Sequence, residues 1–486
     1  MPALRVLADH RYVAFPFEGT PLLSDLLQEN GFDLDMPCGG KGICGKCRVK
    51  AEGSFDPPAR GGFALACRTR VTGDAWVEAP APRKMEQIEE TGFLPSFTPN
   101  PLPGRYGLAV DIGTTTLAAS LIALPSCKHL ASASQVNPQR ALSDNVIGRV
   151  EAAMAGQGGR LQKLVADAIA SLKQRVCAQA GIDSGEVDQT VITGNTAMLT
   201  LYAGGDTSPL SHAPFIAQSL FGSWIEDKNT YLPPCVGAFW GADLVCAVLA
   251  SDMLSQRDTA LLADIGTNGE LALWHQGTLY CCATAAGPAF EGGGVRDGTG
   301  SVAGAVDWVD AKNGEITYTT IGGAPPCGIC GSGLLDALAA LLALERLDET
   351  GALSEDEAII ASGVSITQKD VRNLQLAKAA IAAGINTLCD TVGILPSHVS
   401  AFYMAGGFGR HIRLESAAAI GLIPGVFLPR AMSVGNAALS GAMLHLMDKT
   451  AFDRAAEIAR TARMVTLSGN PAFSVYFVDA MALEPF

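Results

Sequence analysis

Four cysteines constrain this chain more than any other feature. Cys38, Cys44, Cys47 and Cys67 stand as C-x5-C-x2-C-x19-C, three of them inside the run Pro37-Cys38-Gly39-Gly40-Lys41-Gly42-Ile43-Cys44-Gly45-Lys46-Cys47. Four thiols so placed can ligate one centre only if the run is a loop folded back on itself and a separate element delivers the later cysteine. Two kinds of centre take four thiolates, a structural zinc ion and an iron–sulfur cluster; four unrelated thiols are the third reading. Structural zinc sites usually come as two C-x2-C knuckles, whereas here one such pair is joined by two outliers. A loop wrapped around an anionic cluster must aim backbone N–H groups at its sulfurs, which asks for small residues and positive φ angles. Gly39, Gly40, Gly42 and Gly45 meet that demand, so the spacing favours a [2Fe-2S] cluster.

The residues ahead of the loop suit a small β-rich domain. Arg5–Ala8 and Tyr12–Phe17 are expected as short strands. Thr20 is a good N-cap, Pro21 fits a first helical position, and Leu22, Leu23, Leu26 and Leu27 give one apolar face that Gly31 can close. Loop and flanking elements together resemble adrenodoxin-like and plant-type ferredoxins, with a five-residue first gap. The expected unit is a β-grasp [2Fe-2S] domain over residues 1–79. Pro80, Pro82, Pro95, Pro99, Pro101 and Pro103 then crowd residues 80–104 and block helix and central strand, which predicts a semi-extended linker.

The chain has 486 residues, enough for about two to four domains. It is 48% apolar and 17% charged, a globular balance. With 34 Lys plus Arg against 48 Asp plus Glu, its net charge is −14, unsuited to non-specific binding of nucleic acid or anionic membrane. Met1 to Val6 lack the charged and apolar regions of an export signal, and the run Leu334 to Leu344 is too short to span a bilayer and suits a buried helix. Thirteen cysteines without an export signal point to a reducing cytoplasm.

Residues 105–486 alternate strand-like and Ala/Leu-rich helical stretches, an α/β pattern with an internal duplication. Leu108-Ala109-Val110-Asp111-Ile112-Gly113-Thr114-Thr115-Thr116 recurs as Leu262-Ala263-Asp264-Ile265-Gly266-Thr267-Asn268-Gly269-Glu270. Each copy is an apolar strand, an Asp, a Gly-Thr turn and a second strand. Hydroxyls and N–H groups at such a turn can cradle a polyphosphate, and the Asp can hold Mg2+ through water. A third glycine turn follows an apolar strand at Phe402-Tyr403-Met404-Ala405-Gly406-Gly407-Phe408-Gly409. The ordered set resembles the phosphate 1, phosphate 2 and adenosine motifs of the superfamily of acetate kinase, sugar kinases, heat-shock chaperones and actin. That resemblance implies that Asp111, Gly113, Thr114 and Thr115 meet the phosphates of ATP from one lobe and Asp264, Gly266, Thr267 and Asn268 from the other. Gly406 and Gly407 would approach the nucleoside. Glu270 either orders a water near the γ-phosphate or caps its turn.

Asn137-Pro138-Gln139, Thr193-Gly194-Asn195-Thr196-Ala197-Met198, Ala286-Gly287-Pro288-Ala289-Phe290-Glu291-Gly292-Gly293-Gly294 and Cys327-Gly328-Ile329-Cys330-Gly331-Ser332-Gly333 narrow the resemblance to one branch. That branch is the reductive activators of corrinoid proteins, in which an N-terminal [2Fe-2S] domain is fused to an ATPase module. The resemblance spans nearly the whole chain. It implies an ATP-hydrolysing electron-transfer activase that returns Co(II) to Co(I) on the corrinoid protein of a methyltransferase system, fed by an external low-potential donor. It places Asp264, Asp111 and Glu270 in catalysis, adds Asn195 to the nucleotide site, and leaves monomer and homodimer both open. It divides the ATPase module into a first lobe at about 105–258, a second at about 259–430 and a closing segment at 431–486. Only the Pro-rich stretch stands where many members carry an additional domain, and no cysteine follows Cys389. Two other readings are an activator of radical 2-hydroxyacyl-CoA dehydratases or benzoyl-CoA reductases, and a nucleotide-gated electron carrier without hydrolysis. Cys327 and Cys330, with Cys281 and Cys282, form a second metal set or simply occupy a turn and a core.

Overall fold

The computed structural model describes residues 2–8, 11–30, 32, 34, 36, 40, 42–43, 45–78, 92–225, 229–256, 258–406 and 412–486. The chain divides into two compact units, Met1–Lys84 with Pro138–Leu161, and Met85–Asn137 with Gln162–Phe486.

In the first unit, five strands form one mixed sheet in the spatial order Arg11–Pro16, Ala3–Ala8, Arg70–Glu78, Arg48–Asp56, Phe63–Leu65. Helix Leu23–Glu29 buries Leu23, Leu26 and Leu27 in a core with Leu4, Val6, Val49, Val71 and Val77. This is the expected ferredoxin-like β-grasp, with the first strand starting two residues earlier than expected and the second shifted by one, to Arg11–Pro16. The helix corrects the sequence reading. It starts after Leu22 with no side-chain cap, not at Thr20. The reason is tertiary: the Thr20 carbonyl accepts from Arg70 Nη1 at 2.9 Å, the Pro21 carbonyl accepts from Val71 N at 2.9 Å, and Leu22 bridges to Arg70. That pairing keeps residues 20–22 extended. At the other end Asn30 is the C-cap and its Nδ2 donates to the Leu26 carbonyl at 2.8 Å, while Gly31 lies outside the described residues.

The C-terminal half of the Pro-rich stretch is not a free linker. Residues 79–91 lie outside the described residues, but residues 92–103 are docked along the second unit. Phe93, Asn100 and Leu102 donate their N–H groups to the carbonyls of Val434, Met447 and Leu446 at 2.8–3.0 Å, and Leu102 is buried.

The second unit is built on two six-stranded sheets whose centres repeat one plan. Strands Tyr106–Ile112 and Thr116–Ala123 form an antiparallel hairpin, flanked by antiparallel Lys128–Val136 on one side and parallel Val187–Gly194 on the other. In the other sheet the hairpin Ala260–Ile265 with Gly269–His275 is flanked by antiparallel Thr278–Thr284 and parallel Ala401–Ala405. The duplicated turn motif thus marks a duplicated fold. Helix Ala437–Met447 serves both halves: Leu439, Ala442 and Leu446 pack with Ala109, Ala118 and Ile122, while Ala437 and Leu444 pack with Leu262, Ala272 and Tyr403. It crosses helix Ala242–Ser251 so closely that a Cβ on Gly441 would lie 2.2 Å from the Cys246 carbonyl oxygen. The Leu334 run lies in the buried helix Gly331–Ala343, and among the described residues no helix is long and apolar enough to cross a membrane.

Candidate functional site

Cys47 and Cys67 are brought together by strand pairing. Arg48 pairs with Leu65, and Ala66 N donates to the Cys47 carbonyl at 3.0 Å, which carries the two sulfurs to 3.2 Å. Both thiols are buried and neither is in a disulfide. The separation is far beyond the roughly 2.05 Å of a sulfur–sulfur bond, and two sulfurs this close can share one metal ion. The loop glycines do what the spacing asks: Gly40, Gly42 and Gly45 have φ of 78°, 73° and 71°, and a Cβ on Gly42 would lie 2.6 Å from the Arg68 side chain. Cys38 and Cys44 lie outside the described residues. The half of the ligand set that is described fits a thiolate-bound cluster.

The phosphate-type residues of the second unit converge from both halves. Asp111 ends strand Tyr106–Ile112, level with Ala118 and Thr193. Asp264 ends strand Ala260–Ile265 between Glu270 on one neighbour and Ala405 on the other. The two turns touch: Thr115 Oγ1 and Thr267 Oγ1 are 3.3 Å apart, and both hydroxyls donate to Glu291 Oε2, Thr267 at 2.8 Å. Gly406 takes φ 94° next to Asp264, where a Cβ would lie 2.7 Å from the carboxylate, so no side chain fits between the third turn and the second Asp. Gly407 lies outside the described residues.

Supporting residues come from far along the chain. Asn195 caps helix Thr196–Ala203 by accepting from Met198 N at 2.9 Å, and its amide donates to Thr114 Oγ1 at 3.4 Å. Asn137, in the Asn-Pro-Gln turn, donates to the Gly113 carbonyl at 2.8 Å and so braces the first turn. Asn436 caps helix Ala437–Met447 and donates to Asp111 Oδ2 at 3.0 Å. Asp243 lies in the first turn of helix Ala242–Ser251, whose N-cap Gly241 would clash with Asn195 if it carried a Cβ. Three helix N-termini therefore gather at the two turns, an arrangement that favours a bound anion. Asp243, Asn436 and Glu291 were not assigned from sequence; the Gly-Ala-Asp helix start and the glutamate inside Gly-Pro-Ala-Phe-Glu-Gly were the available signals.

The acids are electrostatically crowded. Burial pushes the Asp264 carboxyl up to about 8, with the charges of Asp243, Asp111 and Glu291 adding to it. Burial raises Asp111 to about 7 against the Asn436 hydrogen bond, and Asp243 to about 6 against that of Leu244 N. Glu270 is held well above the ordinary range by burial and by Asp243 and Asp264. Such groups bind protons more tightly folded than unfolded, so stability falls as pH rises from about 4 toward 8. The thermal midpoint of the nucleotide-free protein is expected to decline across that range. Asp264→Asn should raise the midpoint at pH 8 by a few degrees and change it little at pH 4, by scanning calorimetry. An equal effect at both pH values would contradict the electrostatic reading.

The remaining cysteines do not form one set. Cys281 and Cys282 are neighbours on strand Thr278–Thr284 and fill two different cores. Cys327 is exposed with its thiol toward the Ala303 carbonyl, whereas Cys330 is buried beside Ser332. Among the described residues no three His, Cys, Asp or Glu side chains converge as metal ligands.

A β-grasp with a four-cysteine loop, joined to a duplicated fold with facing phosphate-type turns, defines an iron–sulfur protein of the actin/sugar-kinase class. Residues 9–72 match the 2Fe-2S iron-sulfur cluster binding domain, residues 106–256 the RACo middle region, and residues 258–485 the C-terminal domain of RACo, the ASKHA domain. The corrinoid activation enzyme RamQ of Eubacterium limosum is 32% identical, covering 95% of this chain and 96% of its own. The Co(II) methylated amine-specific corrinoid protein reductase of Methanosarcina barkeri is 26% identical over 78% of this chain and 79% of its own. The solved structure of a reductive activator for corrinoid, iron-sulfur protein is 26% identical and superposes with a TM-score of 0.73 over 99% of this chain and 98% of that one. The chain belongs to the family of reductive activators of corrinoid proteins.

Proposed function

We propose that this protein uses ATP to drive the reduction of a corrinoid protein from Co(II) to Co(I). The observation that carries the reading is the full-length match to a corrinoid activation enzyme, running from the four-cysteine domain through both phosphate-type hairpins. Cys38, Cys44, Cys47 and Cys67 would hold the cluster. When bound, it supplies one-electron reducing power near roughly −400 mV. Thr114 and Thr115, with Thr267 and Asn268, offer hydroxyl and amide donors to the phosphates of ATP, and Gly113 and Gly266 let the chain approach them. Asp111 and Asp264 would hold Mg2+, which would offset the charge of the phosphates, and Asp264 is placed to orient the attacking water. Gly406 and Gly407 leave room for the nucleoside. Asn195 and Asn436 act one step back, on Thr114 and Asp111.

A one-electron gap of about 120 mV corresponds to roughly 2.8 kcal/mol, since about 59 mV is tenfold. Coupling between two binding sites is typically about 1–3 kcal/mol, so differential binding of the cobalt states would close most of such a gap. Turnover then separates the partners and makes the transfer one-way. The partner is a corrinoid protein of a methyltransferase system, and an external low-potential donor supplies the electrons. Among the described residues no cysteine is in a disulfide, and a cytoplasmic location is part of the same proposal.

Metal analysis tests the electron-carrying half. Purified without oxygen, the protein should be red-brown with about two irons and two labile sulfides per chain. Stoichiometric zinc without sulfide would overturn the reading, and four irons per dimer held by the second unit would favour the dehydratase-activator alternative.

A further inference from the structure

The Glu291 carboxylate covers the donors that the nucleotide reading assigns to phosphate. Its Oε2 accepts from both Thr115 and Thr267, one from each half of the fold. Its Oε1 lies over the second turn, where a Cβ on Gly266 would be 3.5 Å away. No Lys, Arg or His pairs with Glu291 among the described residues, and its charge adds to those of Asp111 and Asp243 in raising Asp264. The two hydroxyls are the donors that hold the Glu291 carboxylate in place. The backbone that carries it is fixed. Pro288–Glu291 is a single turn between Gly287 and Gly292, with φ of 76° and 78°, and a Cβ on Gly292 would lie 2.6 Å from Thr299 N. Downstream, Asn373 Nδ2 donates to the Gly294 carbonyl at 2.9 Å and Arg296 N donates to Asp370 at 2.9 Å. Only the side chain, with its rotatable bonds, is free to give way.

We infer that Glu291 is a tethered anion that competes with the terminal phosphates of the nucleotide for the Thr115 and Thr267 hydroxyls. The inference rests on the reading of these turns as a nucleotide site and assigns that site a built-in competitor. Each hydroxyl has one proton to give, so it cannot serve carboxylate and phosphate together. Two anions on the same donors also repel. Binding must therefore swing Glu291 away, and phosphate loss lets it return, which links the two halves of the fold again without nucleotide. The competitor lowers affinity for nucleotide in proportion to the phosphates it must displace.

Isothermal titration of the full chain with Mg2+ and a non-hydrolysable ATP analogue, ADP or adenosine tests this. Glu291→Gln keeps the shape and removes the charge. It should tighten the triphosphate analogue about tenfold and ADP less, and leave adenosine unchanged. Glu291→Asp, too short to reach both hydroxyls, should move in the same direction by a smaller factor and keeps the test alive if the amide variant folds poorly. An unchanged or weakened triphosphate affinity in a folded variant would overturn the competition, as would an equal gain for adenosine. If the wild-type chain binds none of the three ligands, the nucleotide reading itself has failed, a result distinct from failure of the competition alone.

Discussion

Replacing Asp264 with alanine is expected to lower ATP turnover at least about a hundredfold, to the background of the assay. Asp264 stands at the end of a central strand, level with Glu270 and Ala405, with Gly406 packed so close that only hydrogen fits against the carboxylate. In the proposed function it serves the bound nucleotide's metal and water rather than the fold. The same burial that raises its pKa to about 8 makes the charge a burden on the nucleotide-free protein. Loss of turnover should therefore come without loss of thermal stability, which separates a catalytic defect from a folding one. Asp111→Ala should act differently, weakening Mg-ATP binding, because Asp111 is held by Asn436 on the other half of the site. Normal phosphate release by both variants would show that the two facing turns are not where ATP reacts.

Cys67→Ala is expected to bleach the protein and abolish cobalt reduction while leaving Mg-ATP binding intact. Cys67 is buried 3.2 Å from Cys47 on a short turn between two strands of the β-grasp sheet. Removing one of four thiolates leaves an incomplete ligand set in a site with no described replacement nearby. The residues proposed for nucleotide belong to the other compact unit, which has a hydrophobic core of its own. Iron content, visible absorption and the thermal shift given by Mg-ATP report these effects separately. Retention of full colour by the variant would show that Cys67 is not a ligand.

Much of this was legible because the signals were local. The paired strand–Asp–Gly-Thr hairpins follow from apolar runs and a turn, and both formed where the repeat put them. The start of helix Leu23–Glu29 was not legible, since Thr20 and Pro21 bond to Arg70 and Val71 instead of opening the helix. Asn436 was beyond sequence reasoning for a similar reason, being 325 positions from the Asp111 it holds. Asp243 reads as an ordinary first-turn acid until the helix is placed beside the two turns. Glu291 sat inside a quoted motif, but its bonds to Thr115 and Thr267 exist only after the two halves face one another.

The most direct measurement mixes the full chain with its cognate Co(II) corrinoid protein, a low-potential reductant and Mg-ATP, and follows the Co(I) absorption band. Sustained Co(I) formation is expected only with all of them present. Reductant alone, or reductant with a non-hydrolysable analogue, should give at most one partial turnover. Co(I) appearing as fast without ATP, or with the Asp264→Ala variant, would contradict the claim that nucleotide turnover drives the reduction.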